Sequence, residues 1–296
     1  MGFTTLAYHV DGRVARIVLD RPGRGNGITP VLVAELAAAV EQADLDPAVH
    51  VIALSGNGPG FCGGYDLVDS AEGMAEGSAG AFSAPAGSPL DPAVMAANHD
   101  PSGTWDPTVD FAMMRRNVHG FMALMRADKP VVVKVHGFCV AGGTDLALCA
   151  DLVVIAEDAR IGYPPARVWG SPTTGLWARR IGAQRAARLL YTGDLITGTQ
   201  AVDWGLAVEA APAAELDERF EALVGRIALM PLNQLRMMKL LITQSLFGDG
   251  LQGAQVLGTL LDGAARHTAE GFAFQQRAAE AGFKAAVRER DAPFDS

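Results

Sequence analysis

Two glycine loops, and an acid behind one of them, hold the residue types best suited to chemistry in this 296-residue chain. The stretch "HGFCVAGGTDLALCADLVVIAEDARIGYPPARVWG" (136–170) places Asp145 three residues past Gly142 and ends its next strand in Pro164-Pro165. A second loop, "NGPGFCGGYDL", carries Gly63, Gly64, Tyr65 and Asp66. Both follow apolar runs, "VVVKVHG" and "HVIALSG", that read as buried strands. A backbone N–H at the start of a helix has no intrahelical partner and sits at the positive end of the dipole, worth about half an elementary charge. If the two strands are neighbours, one N–H from each loop can converge on a single oxygen and receive an oxyanion. The same glycines equally serve tight strand-to-helix turns, and Asp145 is equally a first-turn acid that favours the dipole.

The elements that must position these loops are legible nearby. "LAYHVDGRVARIVLD" is two alternating runs around Asp11-Gly12, a β-hairpin signal. "ITPVLVAELAAAVEQADLD" predicts a helix with Thr29 as N-cap, Pro30 at its first position and Leu32, Leu36 and Val40 on one face. The apolar spacing of "VDFAMMRRNVHGFMALMRADKP" suits another helix, stopped by Lys129-Pro130. "VVVKVHG", the helix start "GGTDLALCA" and "DLVVIAE" then form a β-loop-α-β unit with a right-handed crossover expected. Between these regions, from about 69 to 108, Gly, Ser, Pro and Ala accumulate with little periodicity, the signature of a long insertion or mobile lid. From Gly182 onward the chain reads almost wholly helical. The expected organisation is a core over 1–200 and a helical C-terminal region over 201–296.

Composition excludes several classes. At 49% hydrophobic content the chain can bury a sizeable core. A net charge of −9, with basic residues scattered, argues against nucleic-acid binding, which needs clustered Lys and Arg. Three cysteines, Cys62, Cys139 and Cys149, form no metal-ligand spacing, and an odd count suits no disulfide framework. A reducing cytoplasm is expected, with no membrane partner, since no apolar run is long enough to span a bilayer and the N-terminus has no export pattern. Neither loop has the dinucleotide or nucleotide-phosphate pattern.

Taken together, "GFCGGYDL", "KPVVVKVHGFCVAGGTDLALCADLVV", "DRPGRGNGIT", "ARIGYPP", "LLYTGDLITGTQAVDWGLAVE" and "FKAAVRERDAPF" resemble the crotonase (enoyl-CoA hydratase/isomerase) superfamily over nearly the whole chain outside the insertion. The resemblance implies an α/β fold, a crotonase-like spiral of ββα units with a helical C-terminal trimerisation region, and a homotrimer or homohexamer. It implies acyl-CoA thioester substrates, with coenzyme A carried by the substrate and no tightly bound cofactor. It places the oxyanion N–H groups on Tyr65 and Gly142. Arg24 and Asn26 match a loop near the coenzyme A phosphates and adenine, Gly63 a backbone contact near the adenine, and Phe283 and Lys284 C-terminal residues that reach a coenzyme A on a neighbouring subunit.

The resemblance also exposes a departure. Hydratases of the family carry two glutamates, and the matching positions here are Asp145 and Pro165. Asp145 keeps a carboxylate on a stem shorter by one C–C bond, roughly 1.5 Å; Pro165 offers no proton-transfer group. Tyr163 and Arg167 flank the prolines as further candidates, His99 and His119 are bases that a lid could deliver, and Asp66 reads as a helix cap. The expected function is an enoyl-CoA hydratase-like reaction through a thioester enolate. The alternatives are a one-acid reaction on the same platform, either enoyl-CoA isomerisation or β-dicarbonyl hydrolysis, and a non-catalytic acyl-CoA-binding trimer.

Overall fold

The structure is a computed structural model that describes residues 2–66, 85–248 and 250–294. The chain opens with β1 (Leu6–Asp11), β2 (Val14–Leu19), α1 (Pro30–Leu45) and β3 (Val51–Gly56). It continues through α2 (Pro92–Asn98), α3 (Pro107–Arg126), β4 (Val131–Val135), β5 (Phe138–Val140), α4 (Gly142–Leu148), β6 (Leu152–Ala156) and β7 (Arg160–Gly162). Then come α5 (Trp177–Thr192), β8 (Leu195–Thr197), α6 (Gly198–Asp203), β9 (Glu209–Ala211) and α7 (Leu216–Ala228). The chain ends in α8 (Leu232–Gly248), α9 (Leu251–Arg266), α10 (Ala269–Ala281) and α11 (Phe283–Asp291).

Two sheets organise these elements. The larger has the order β1-β2-β3-β4-β6-β9, and the smaller β5-β7-β8. Only β1 runs antiparallel in the larger sheet, because the Asp11-Gly12 turn reverses the chain at once and sets Asp11 opposite Val14. From β2 onward every pairing in it is parallel, so both faces are covered and strands such as "VVVKV" are apolar nearly throughout. Thr29 caps α1 as its sequence predicts, its Oγ1 accepting the Leu32 N–H at 3.1 Å, and Leu32, Leu36 and Val40 are buried.

A corner carries the chain from one sheet to the other. β4 belongs to the large sheet and β5 to the small one, and Gly137 between them has φ 57°; a Cβ there would collide with the Pro59 carbonyl oxygen. After β5 the chain enters α4 directly, which is the spiral ββα unit that the sequence implies.

Two features depart from the sequence reading. The region beyond Gly182 contains β8 and β9, and β9 pairs in parallel with β6 at the edge of the large sheet. α7, within the 201–296 region, packs on β3, β4 and β6. Strands as short as "EAA" have no period to read. The expected insertion lies partly outside the described residues. Its described part holds α2, capped by Asp91, followed by a segment anchored to the body: Asn98 Nδ2 and Trp105 Nε1 both donate to Asp110 Oδ2, at 3.0 and 2.8 Å, and the Trp105 ring stacks on His267.

Candidate active site

The two glycine loops touch. The 61–66 segment runs beside β5, with Phe61 N–H donating to the Phe138 carbonyl at 2.9 Å, Val140 N–H to Cys62 at 3.0 Å, and Cys62 paired with Cys139. Close approach is possible because side chains are missing. A Cβ on Gly64 (φ 93°) would lie 2.6 Å from the Ala141 Cβ and 3.3 Å from the Gly142 nitrogen, and one on Gly142 would lie 2.8 Å from Tyr65 Cε2. Ala141 has φ 55° and ψ −132°, a conformation that L-residues seldom adopt and that costs on the order of 1–3 kcal/mol. Strain of this kind persists where surrounding packing over-determines the turn. Among the described residues, neither Tyr65 N–H nor Gly142 N–H has a hydrogen-bond acceptor. Two unengaged amides in touching loops are donors with capacity left for an acceptor.

Asp145 projects from the first turn of α4 and is wholly buried. Its Oδ1 accepts from Thr174 N–H at 3.0 Å and Thr174 Oγ1–H at 2.6 Å, and its Oδ2 accepts a longer contact from Thr173 N–H at 3.4 Å. Burial pushes its pKa up to about 6 against these donors, and the Asp262 charge adds to the rise. A carboxyl with this pKa exchanges protons readily near neutral pH. Gly63 is exposed, Tyr65 is half-buried with its hydroxyl inside, and Asp145 is enclosed.

Further polar groups converge here. Tyr163, at the end of β7, is buried, and its pKa is raised well above the usual phenol range by burial and by the Asp145 and Asp262 charges. The same causes raise that of Tyr65. Tyr65 Oη and Thr173 Oγ1 lie near each other, yet neither completes a hydrogen bond of ordinary geometry. Asp262, on α9, accepts a 3.4 Å contact from Ser171 N–H. Thr173, Thr174 and Asp262 were not apparent from sequence: "SPTTG" looks like an ordinary turn, and Asp262 with Arg266 looks like a helix-surface ion pair at i,i+4.

The remaining predicted residues fall at varied distances from Asp145. Pro165 sits in a 3-10 turn (Pro164–Arg167), and its carbonyl accepts from the N–H groups of Val168, Trp169 and Gly170. Arg167 donates to the Thr192 carbonyl and pairs with Asp194 and Asp291 beside a cavity of about 280 Å³. Arg24 is partly exposed and lies 3.5 Å from Asp66, which also pairs with Arg21 at 2.8 Å, so Asp66 holds the arginine loop. The Asn26 side chain is buried and saturated, Oδ1 accepting from Arg21 N–H and Nδ2 donating to the carbonyls of Asn57, Gly60 and Phe61, so it ties this loop to the 57–61 segment. Gly63 donates its N–H to the Gly25 carbonyl. Phe283 packs edge-on against Phe274, which in turn meets Trp169, while Lys284 is exposed. His99 packs on His267 and Phe272, and His119 is exposed on α3, so neither lies over Asp145.

Parallel strands turning at glycine corners into short helices, with paired glycine loops and a carboxyl one turn inside, define a crotonase-type α/β fold. The chain belongs to the enoyl-CoA hydratase/isomerase family, whose model matches residues 9–89 and 109–257. It is 54% identical to a crystal structure of an enoyl-CoA hydratase from Mycobacterium smegmatis, with a TM-score of 0.91 over 98% of this chain and 94% of that one. A putative enoyl-CoA hydratase of Thermus thermophilus is 30% identical over 88% of this chain and 91% of its own length. The 1,2-epoxyphenylacetyl-CoA isomerase of Escherichia coli is 27% identical over 75% and 76%. The chain is thus an acyl-CoA enzyme of the enoyl-CoA hydratase/isomerase type.

Proposed function

We propose that this enzyme carries out an enoyl-CoA hydratase-like reaction, with the N–H groups of Tyr65 and Gly142 holding the thioester oxygen and Asp145 moving the proton. One observation carries this reading: two amides without partners lie in touching loops beside a fully buried carboxyl of raised pKa. In hydration, water oxygen bonds to C3 of the 2-enoyl thioester while Asp145 takes its proton. The π pair moves toward the carbonyl to give an enolate, and C2 then collects a proton. Removing one donor to such an oxygen typically costs about 2.7 to 4 kcal/mol, so both loops are needed.

In this reading Arg24 and the backbone at Gly63 meet coenzyme A, with Asn26 holding their loop in shape. Phe283 and Lys284 reach the coenzyme A of a neighbouring subunit in a trimer or hexamer. The three buried, free cysteines support the cytoplasmic expectation. Pro165 stands where hydratases of the family carry their second glutamate, and its locked turn favours a second reading, a one-acid double-bond isomerisation.

The test is to mix the protein with crotonoyl-CoA and follow loss of its conjugated absorbance, with 3-enoyl-CoA in parallel and calorimetry of thioester binding. Hydration supports the main reading, and isomerisation without hydration the second. Binding without any turnover overturns both and leaves a non-catalytic binder.

A further inference from the structure

The Pro164–Arg167 turn brings no carboxylate to Asp145, but α9 does. Segment 171–174 serves both acids with consecutive backbone donors: Ser171 N–H to Asp262 Oδ1 at 3.4 Å, Thr173 and Thr174 N–H to Asp145 at 3.4 and 3.0 Å. α9 is pressed against this segment, since a Cβ on Gly258 would lie 2.6 Å from the Pro172 carbonyl oxygen. Asp262 is 7% exposed. Its own bonds are few and long, the Ser171 contact and Arg266 Nη2 at 3.6 Å from Oδ2, although an ionised carboxylate offers about four acceptor sites. The buried hydroxyls of Tyr65 and Thr173, neither with a completed hydrogen bond, lie in the same region. Buried polar groups of this kind are normally engaged, so unsatisfied capacity from four side chains, Asp145 included, marks a place built for a polar occupant.

We propose that Asp262 is the second carboxylate of this active site, holding the attacking water together with Asp145, and supplied by helix α9 instead of by the strand end at Pro165. This rests on the hydratase reading above. Arg266, itself 2.9 Å from Asp110 Oδ1, sets a positive charge 3.6 Å from Asp262 Oδ2 against the rise that burial imposes on its pKa, while no cation pairs with Asp145 among the described residues. The roles therefore divide. Asp262 accepts one O–H of the water and fixes its orientation. Asp145 removes the other proton as the oxygen bonds to C3, and returns it to C2 as the enolate collapses, so the two acids end as they began. The groups facing the pair are Arg266 on α9, Asp110 on α3, and the Tyr65 and Tyr163 hydroxyls, with His267 behind Asp110.

The experiment compares wild type, Asp262→Asn and Asp262→Glu in crotonoyl-CoA hydration across pH, with thioester binding measured in parallel. Expected for Asp262→Asn is a fall in kcat of roughly 10²-fold, the scale on which a misoriented reactant slows a reaction, with thioester Kd within about twofold. Asp262→Glu keeps the charge opposite Arg266 and carries the test if the asparagine variant does not fold; its carboxylate is displaced by roughly 1.5 Å, and an intermediate kcat is expected. Unchanged kcat in the folded variants overturns the proposal. So does a shift of the acid limb to lower pH with an unchanged plateau, because Asp262 would then only tune Asp145. No turnover by the wild-type enzyme removes the hydratase reading, and this proposal with it.

Discussion

Asp145 carries an electrostatic cost that its position in the first turn of α4 does not remove. Its folded pKa, near 6, lies above the ordinary aspartate value of 3.8, so between these pH values the folded state binds more protons than the unfolded one. Stability from this group is complete below the ordinary value and is lost as pH rises through about 6, a difference on the order of 3 kcal/mol. Asp145→Asn removes the charge and keeps an acceptor for Thr174. We expect denaturant titrations to show it at least as stable as wild type at pH 7.5, with that advantage shrinking by pH 4. Hydration by the wild-type enzyme should rise with pH through about 6, as Asp145 ionises. The two glycine loops and Asp145 are legible in the sequence by residue type and spacing, while the roles proposed for Tyr65, Gly142 and Asp145 come from the family resemblance. The surrounding donors were not. Main-chain N–H groups at 171–174 have no residue signature, and Asp262 becomes a neighbour of Asp145 only when α9 folds back on segment 171–174.

At the scale of elements, the site depends on how close two loops can come. The strands that lead to them, β3 and β4, were readable from apolar runs, and the α4 start from its glycines. The corner at Gly137 and the β8 and β9 strands were not, since a sheet switch depends on tertiary contact and three residues set no pattern. Gly64 is the contact point where both a positive φ and missing volume are required. Gly64→Ala should force the loops apart. Urea unfolding should show a loss of about 1–3 kcal/mol, and kcat should fall while the protein remains folded. Full activity in Gly64→Ala would show that the amides need not lie this close.

For the whole molecule, the C-terminal helices leave more apolar surface than a monomer commonly tolerates. Leu240, Leu241 and Ile242 on α8 and Leu257 and Leu261 on α9 are all exposed. The account expects a trimer or hexamer that covers them. Light scattering at micromolar concentration should report it, and Leu241→Glu with Ile242→Glu should dissociate it. A stable wild-type monomer would contradict the expectation. No helix among the described residues is long and apolar enough to cross a membrane.

The central claim is that the Tyr65 and Gly142 amides hold one thioester oxygen. Infrared difference spectroscopy of crotonoyl-CoA, isotopically labelled at the thioester carbonyl and bound at saturation to Asp145→Asn so that turnover is suppressed, reads this bond directly. The account predicts a carbonyl stretch at lower frequency than for the free thioester, with the shift reduced in Gly64→Ala. A bound carbonyl whose stretch matches that of the free thioester would contradict it.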